Sequence, residues 1–341
     1  MVLEDFLTEW NNDDARIMVH TSGSTGKPKP MWVEKQRMRN SARITCDFLG
    51  LKEGDTALLC MSLDYIAGKM VVVRSLECGL RLISVNPGGH PLSADSLGGY
   101  EGKITFAAMV PLQVYNSLQM PAEKQKLKAI RHLIIGGGFI DDISAQELKS
   151  FPNHVWSTYG MTETLSHIAL RRLSGKEATP WYTPFESVRV SLNQEGCLVI
   201  DAPLICDHVL VTHDCAELSG DGRQFRILGR KDNVIDSGGI KIQIEEVEQT
   251  LKPFLRVPYI ITKCSDIKFG EVVVLLTEGN DLSDVREVCV KALPKYWQPR
   301  RYFHLDHLPM TLTNKPARAR AQEVATLCEA ERLGNGQTLK K

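Results

Sequence analysis

A chain of 341 residues is long enough for two domains and a large buried core. Lysine plus arginine (41) balances aspartate plus glutamate (41), so no global field draws the protein to nucleic acid or to an anionic membrane surface. Hydrophobic residues at 43% and charged residues at 24% are those of an ordinary soluble globular protein; no apolar run reaches transmembrane length, and the acidic start MVLEDFLTEWNNDD is neither a signal nor a transit peptide.

The nine cysteines are scattered, with no Cys-x-x-Cys pair, which suits reduced thiols in a cytoplasmic enzyme better than a disulfide framework. Cys206, His208, His213 and Cys215 are all zinc-binding residue types, but their spacing matches no familiar zinc module. The alternation in HVLVTH instead sends neighbours to opposite faces of a strand.

In chain order, Ile17 to Val19 reads as a strand delivering the stretch His20 to Pro30, HTSGSTGKPKP. Glycines 23 and 26, the hydroxyls of Ser22, Ser24 and Thr25, and the charges of Lys27 and Lys29 make a loop suited to polyphosphate. It is not a Walker loop, because Pro28 follows Gly26-Lys27, and by itself it could equally be a polar turn. A helix is expected over 32–49, stopped by Gly50, then a strand over 56–61, a helix over 66–78 and strands over 81–85 and 104–110. Helices over 112–118 and 123–130, a strand over 132–135 opening onto Gly136-Gly137-Gly138, a helix over 143–151 and a strand over 154–158 follow. Strands alternating with helices imply a mainly parallel sheet covered on both faces, with ligands at the strand C-terminal ends.

Beyond about residue 180, turn signals separate short alternating runs at 197–200 and 208–212, an antiparallel texture. From Gly229 onward the pattern becomes α+β: a helix over 244–251, strands near 259–263 and 272–277, a helix over 284–293, a strand over 302–305 and a last helix from Pro316. The tail from Gly334 reads as disordered. The expected fold is therefore α/β: a large N-terminal domain (1–230) with a mainly parallel sheet and a small antiparallel β subdomain, followed by a small α+β C-terminal domain (231–341).

Three further stretches carry chemistry. In STYGMTET (157–164), Tyr159 can stack on a base, Gly160 permits close backbone approach, Thr162 can bond a phosphate and Glu163 can hold Mg²⁺; the plain reading is a strand end with a helix cap at Thr162. GRKDNVIDSGGIKIQIEEVE (229–248) places Arg230 and Asp232 before an apolar strand and an acidic helix start, or is simply a hairpin followed by a surface helix. LPMTLTNKPAR (308–318) holds Lys315 in a polar turn, where a solvated lysine is the plain alternative.

In this order, the loop, STYGMTET, Asp214, GRKD, SGGIKIQIEEVE and LPMTLTNKPAR resemble the signature set of the adenylate-forming (AMP-binding) superfamily of acyl-CoA synthetases, carrier-protein adenylation domains and luciferases. The resemblance spans about residues 17–320 and implies attack of a carboxylate on the α-phosphorus of ATP, then displacement of AMP by a thiol. It implies that Thr21, Ser22, Gly23, Ser24, Thr25, Gly26 and Lys29 hold the departing phosphates. Gly136, Gly137 and Gly138 with Tyr159 would sandwich adenine, Thr162 touch the α-phosphate and Glu163 carry Mg²⁺. Asp214 would bind the ribose, Arg230 add a ribose or phosphate contact, and Lys315 bridge carboxylate, ribose and α-phosphate. Asp232 matches a hinge, and Gly238 and Gly239 would line the thiol channel. The chain departs from the family pattern at Pro30, His213 and Asn314, where glycine is usual. It also reaches its loop at Thr21, earlier than family members do, so the resemblance implies that most of the first N-terminal subdomain is absent here, either by nature or by truncation.

Met61 to Arg74, MSLDYIAGKMVVVR, resembles a segment of the o-succinylbenzoate-CoA ligases of menaquinone biosynthesis, with Tyr65 where histidine is usual. That resemblance implies an aromatic acid with a second carboxylate, which Arg74 could meet unless it merely caps or pairs within its own helix. Tyr65, Ser166 and His167 are further pocket candidates. The expected ligands are thus a small aromatic carboxylic acid, ATP, Mg²⁺ and CoA, with no nucleic acid and no membrane span, and a homo-oligomer is left open. Another acyl-CoA ligase, a carrier-loading domain, or a nucleotide-binding protein without turnover are the alternatives.

Overall fold

The computed structural model describes residues 1–20, 30–138, 140, 142–311 and 316–337. Two compact units emerge, one of residues 1–20, 30–212 and Glu217–Arg226, the other of His213–Ala216 and 227–337.

In the first unit the elements are α1 (Leu3–Asn11), β1 (Arg16–His20), β2 (Pro30–Glu34), α2 (Lys35–Leu49), β3 (Thr56–Leu59), α3 (Ile66–Glu77), β4 (Arg81–Ser84) and α4 (Ala94–Leu97). They continue through β5 (Phe106–Met109), α5 (Pro111–Gln119), α6 (Pro121–Ala129), β6 (His132–Ile135), α7 (Asp142–Lys149), β7 (His154–Gly160), β8 (His167–Arg172), β9 (Thr183–Pro184), β10 (Arg189–Leu192) and β11 (Cys197–Asp201). Strands β12 (Leu210–Leu218) and β13 (Phe225–Arg230) follow.

The main sheet has the order β4-β3-β5-β6-β7-β8-β9. Its first five strands are parallel and β8 and β9 return antiparallel. Leu58, Met109, Leu133 and Ile135 on one face pack with Val114, Leu118, Leu127 and Leu148 of α5, α6 and α7. The alternate residues Ala57, Leu59, Phe106 and Ala108 are buried as well, as a sheet covered on both faces requires. Strands β10 and β11 pair antiparallel from Arg189↔Asp201 to Leu192↔Leu198, the antiparallel texture expected there.

Two local expectations change. Trp32 to Glu34 do not begin the helix: β2 pairs with β1 from Arg16↔Glu34 to His20↔Pro30, because Ile17 and Val33 alternate into the core and favour the extended form. Cys46 on α2 and Cys78, which ends α3, form a disulfide with Cα atoms 6.8 Å apart, so the expectation of nine reduced thiols is corrected for this pair. The cause is the packing of α2 on α3, which no spacing motif announces. The other seven cysteines form no disulfide.

The second unit follows a single 3-10 turn (Lys231–Asn233) with β14 (Val234–Ser237), β15 (Ile240–Gln243), α8 (Ile244–Leu251), β16 (Tyr259–Asp266), β17 (Gly270–Thr277), α9 (Leu282–Ala292), β18 (Arg301–His304) and α10 (Arg318–Gln337). Ser237 pairs with Ile240 across Gly238 (φ +62°) and Gly239 (φ +82°), a two-residue hairpin turn with positive φ at both centres, which glycine suits. Strand β17 pairs β16 along its length and β18 in parallel. One sheet face packs Val273 and Leu275 against Val247, Leu251 and Val285 of α8 and α9, and the other packs Val272 and Val274 against Ala321 and Ala325 of α10. Helix α10 continues to Gln337, past Gly334, where order was expected to end.

Among the described residues no helix is long and apolar enough to cross a membrane.

Candidate active site

Parallel strands β6 and β7 end side by side and deliver the glycine run and STYGMTET to one rim of the sheet. A Cβ on Gly136 would lie 2.2 Å from Thr158 Oγ1, and one on Gly160 would lie 2.3 Å from the Ser166 carbonyl oxygen. Both glycines are therefore set by close approach. The Tyr159 ring meets Phe225 edge-on at 5.1 Å and Tyr182 at 5.8 Å, and Ser157 Oγ shares a 2.9 Å hydrogen bond with the Tyr182 hydroxyl.

After Gly160 the chain does not cap a helix at Thr162; it turns back into antiparallel β8. Met161 N–H donates to Thr164 Oγ1 (2.9 Å), Leu165 N–H to the Thr162 carbonyl (2.9 Å) and Ser166 N–H to the Thr164 carbonyl (2.6 Å). Leu165, buried, sits at φ +61°, the one positive φ outside glycine among the described residues, and such backbone is held only where its surroundings over-determine it. The turn buries Thr162, exposes Glu163 and returns Ser166 inward.

The Glu163 carboxylate has no hydrogen-bond or ion-pair partner among the described residues; only its carbonyl is engaged, by Cys206 Sγ at 3.4 Å. No group of three or more metal-ligating side chains occurs among them either. A lone, free carboxylate oxygen is what Mg²⁺ takes when water and phosphate oxygens complete its shell, so Glu163 fits that ion. The zinc-type cysteines and histidines have other partners, His208 pairing with Asp207 and His213 with Asp232.

Helix α3 carries Tyr65 at its exposed start and Arg74 nine residues on, about 13 Å along the axis. Arg74 is 2% exposed and neither caps nor pairs within its helix. Its Nη2 donates to Ser166 Oγ at 2.6 Å, its Nε has no partner, and no carboxylate among the described residues lies in ion-pair reach. Burial pushes its guanidinium down to about 9, still charged at neutral pH. Ser166 Oγ also lies 3.1 Å from His167 Nδ1, and His167 Nε2 lies 3.2 Å from Thr45 Oγ1 on α2. Burial, then the charge of Arg74, holds His167 well below the usual histidine range. Arg74, Ser166 and His167 thus come together, whereas no hydrogen bond or ring contact among the described residues joins Tyr65 to them.

In the second unit, Arg230 reaches Asp214 Oδ1 at 3.5 Å and Asp232 Oδ2 at 3.1 Å, and His213 Nδ1 meets Asp232 Oδ2 at 3.0 Å. The hydrogen bond with His213, with that from Arg230 behind it, lowers the Asp232 carboxyl. Gln243 Nε2 donates to the Arg230 carbonyl at 3.0 Å and so fixes the backbone beneath that arginine. Thr21 to Lys29, including Ser22, Gly23, Ser24, Thr25 and Gly26, and also Lys315, lie outside the described residues. Their flanks are described: His20 pairs with Pro30, and Met310 with Pro316.

The sequence profile of AMP-binding enzymes matches residues 4–200. The chain belongs to the AMP-binding enzyme family. Within that family it is 24% identical to the 2-succinylbenzoate--CoA ligase of Geobacillus sp., over 94% of this chain and 71% of that one. Its fold is similar to the acyl-CoA synthetase (AMP-forming)/AMP-acid ligase II-like protein of Dyadobacter fermentans, with 29% identity, a TM-score of 0.63 and coverage of 93% and 91% of the two chains. It is also similar to the O-succinylbenzoate Coenzyme A synthetase of Bacillus subtilis in complex with ATP and magnesium ion, with 23% identity, a TM-score of 0.73 and coverage of 89% and 69%.

Three residues of this constellation carried no sequence signal: Thr45, Tyr182 and Phe225. Each meets a motif or pocket residue far along the chain, Thr45 meeting His167 and Tyr182 and Phe225 meeting Tyr159, and none belongs to a motif itself.

Proposed function

We propose that this AMP-binding enzyme activates o-succinylbenzoate as an acyl-adenylate and transfers the acyl group to CoA, an ATP-dependent step of menaquinone biosynthesis in the cytoplasm. The observation that carries the substrate is Arg74: a buried cation with a neutral partner and no carboxylate, beside the turn that presents Glu163. An acid with a second carboxylate on its ring supplies the missing anion, and a guanidinium can grip that carboxylate with two parallel hydrogen bonds. The names of the curated relatives support the same acid.

In the first half-reaction the substrate's reacting carboxylate attacks the α-phosphorus and charge grows on the phosphate oxygens. Donors fixed in a water-poor site stabilise that charge without reorganising. Thr162 serves the α-phosphate, Tyr159 and residues 136–138 hold the adenine, and Asp214 holds the ribose with Arg230 beside it. Residues 21–29 bind the departing pyrophosphate, and Lys315 joins the carboxylate, ribose and α-phosphate. Bound Mg²⁺, with Glu163 as its protein ligand, supplies a countercharge to the phosphates. For the second half-reaction the chain turns about Asp232, Lys315 leaves, and the Gly238-Gly239 turn lines the thiol channel.

The reading is tested by incubating the protein with ATP, Mg²⁺, CoA and o-succinylbenzoate and measuring AMP and CoA thioester. Stoichiometric formation of both is expected. Turnover with other acids but not this one would leave an acyl-CoA ligase of different specificity, and nucleotide binding without any adenylate would remove the catalytic claim.

A further inference from the structure

Thr45 and Arg74 stand at the two ends of a hydrogen-bonded chain whose direction can be worked out from its terminus. Thr45, fully buried, lies on α2 with its Oγ1 3.0 Å from the Ser41 carbonyl oxygen. A carbonyl only accepts, so the Thr45 hydroxyl proton is committed there and Oγ1 is left as an acceptor. Facing it at 3.2 Å, His167 Nε2 must therefore carry the ring proton. The ring is buried among Thr45, Ser166 and the tilted ring of Phe185, centroids 5.5 Å apart, and burial with the nearby charge of Arg74 keeps it neutral. A neutral ring protonated at Nε2 has an acceptor at Nδ1, so Ser166 Oγ–H donates to it across 3.1 Å. The proton of Ser166 is thereby committed too, and its oxygen is free to accept from Arg74, which can only donate, at 2.6 Å.

We infer that Thr45 is a positioning residue for acid selection: by fixing His167 as the Nε2–H tautomer it makes Ser166 an acceptor and holds the Arg74 guanidinium ready for the substrate's second carboxylate. The inference rests on the carboxylate role proposed for Arg74. Every link is a pair of named atoms, and reversing any one leaves two donors or two acceptors facing each other in the core. The order also accounts for a neutral histidine beside a buried cation: a second positive charge there would repel the first, while a neutral ring transmits direction without charge. Thr45 touches neither the acid nor the nucleotide in this scheme; it acts through His167 and Ser166.

The test is the protonation pattern of His167 by two-dimensional ¹⁵N NMR of the histidine rings in the full chain, with His167→Gln to assign its signals. Wild type should show protonated Nε2 and bare Nδ1; a bare Nε2, or a charged ring at neutral pH, overturns the inference. Thr45→Ser keeps the hydroxyl and should keep both the signature and the KM for o-succinylbenzoate. Thr45→Val removes the acceptor and should lose the signature and raise that KM about five- to tenfold, the scale of one buried hydrogen bond, with kcat changed less. An unchanged KM in Thr45→Val beside a lost signature would also overturn it. Arg74→Met separates the two claims: if that variant keeps its preference for the dicarboxylic acid, the proposed function of Arg74 falls and this inference falls with it. If Arg74→Met loses the preference while Thr45→Val keeps both signature and KM, only the inference falls.

Discussion

Arg74 Nη2 donates to Ser166 Oγ at 2.6 Å across 92 residues of chain, and that hydroxyl is the one hydrogen-bond partner its guanidinium has among the described residues. A buried cation matched only by a neutral oxygen loses more to desolvation than it regains. On the reading proposed for Arg74, that cost is borne for a ligand and not for the fold. Arg74→Met should leave the melting temperature equal to wild type or up to ~3 °C higher, since a linear apolar side chain of similar reach removes the unpaired charge. Calorimetry checks this; a fall of several degrees would make Arg74 a structural residue.

A second prediction concerns the rim of the sheet. Gly160→Ala drives a methyl group to within 2.3 Å of the Ser166 carbonyl oxygen, a backbone atom that cannot swing aside. The β7–β8 turn must open, at a cost of about 1–3 kcal/mol. Urea denaturation should show the loss with an unchanged m-value, and adenylation should fall further than stability alone explains, because the same turn places Thr162, Glu163 and Ser166.

Acid should act on the second unit through Glu329. Its carboxylate accepts from Arg332 and Arg301, which hold it down to about 2. A depressed carboxyl stabilises the fold above its unfolded pKa, and that contribution disappears as pH falls through the folded one. Between about pH 4.5 and 2 the unit should lose stability progressively, and Glu329→Gln should flatten that slope while lowering stability at pH 7. Thermal melts across this range decide it; parallel slopes for the two proteins would assign the acid sensitivity elsewhere.

Lys315→Ala divides the two half-reactions. Loss of one charge-assisted contact from the adenylation transition state costs roughly 3 kcal/mol, about a hundredfold in rate. Thioester formation from supplied acyl-adenylate should change far less. Single-turnover kinetics read both steps, and equal losses would contradict a lysine that serves the first step alone.

Much of this was legible in the sequence because it is written in local patterns. The parallel sheet follows from apolar strand runs alternating with helix formers, and the family from motifs in a fixed order. What was not legible depends on pairs distant in sequence. The plain reading of Trp32 as helix failed because residues 30–34 are drawn into β2 by their partner β1. The plain alternative at Thr162, a helix cap, does not form, because the positive φ of Leu165 turns the chain back instead. Cys46 with Cys78, and Thr45 with His167, meet only because α2, α3 and β8 pack as they do. The helix-internal pairing of Arg74 was an equal alternative from sequence, and its lack of any such partner is a fact of the packed structure.

The most direct measurement of the central claim is the wild-type rate of pyrophosphate exchange with o-succinylbenzoate against the same acid lacking its ring carboxylate. A charge-assisted bidentate contact predicts a preference of roughly ten- to a hundredfold in kcat/KM for the dicarboxylic acid. Equal rates for the two acids, or exchange with neither, would contradict it.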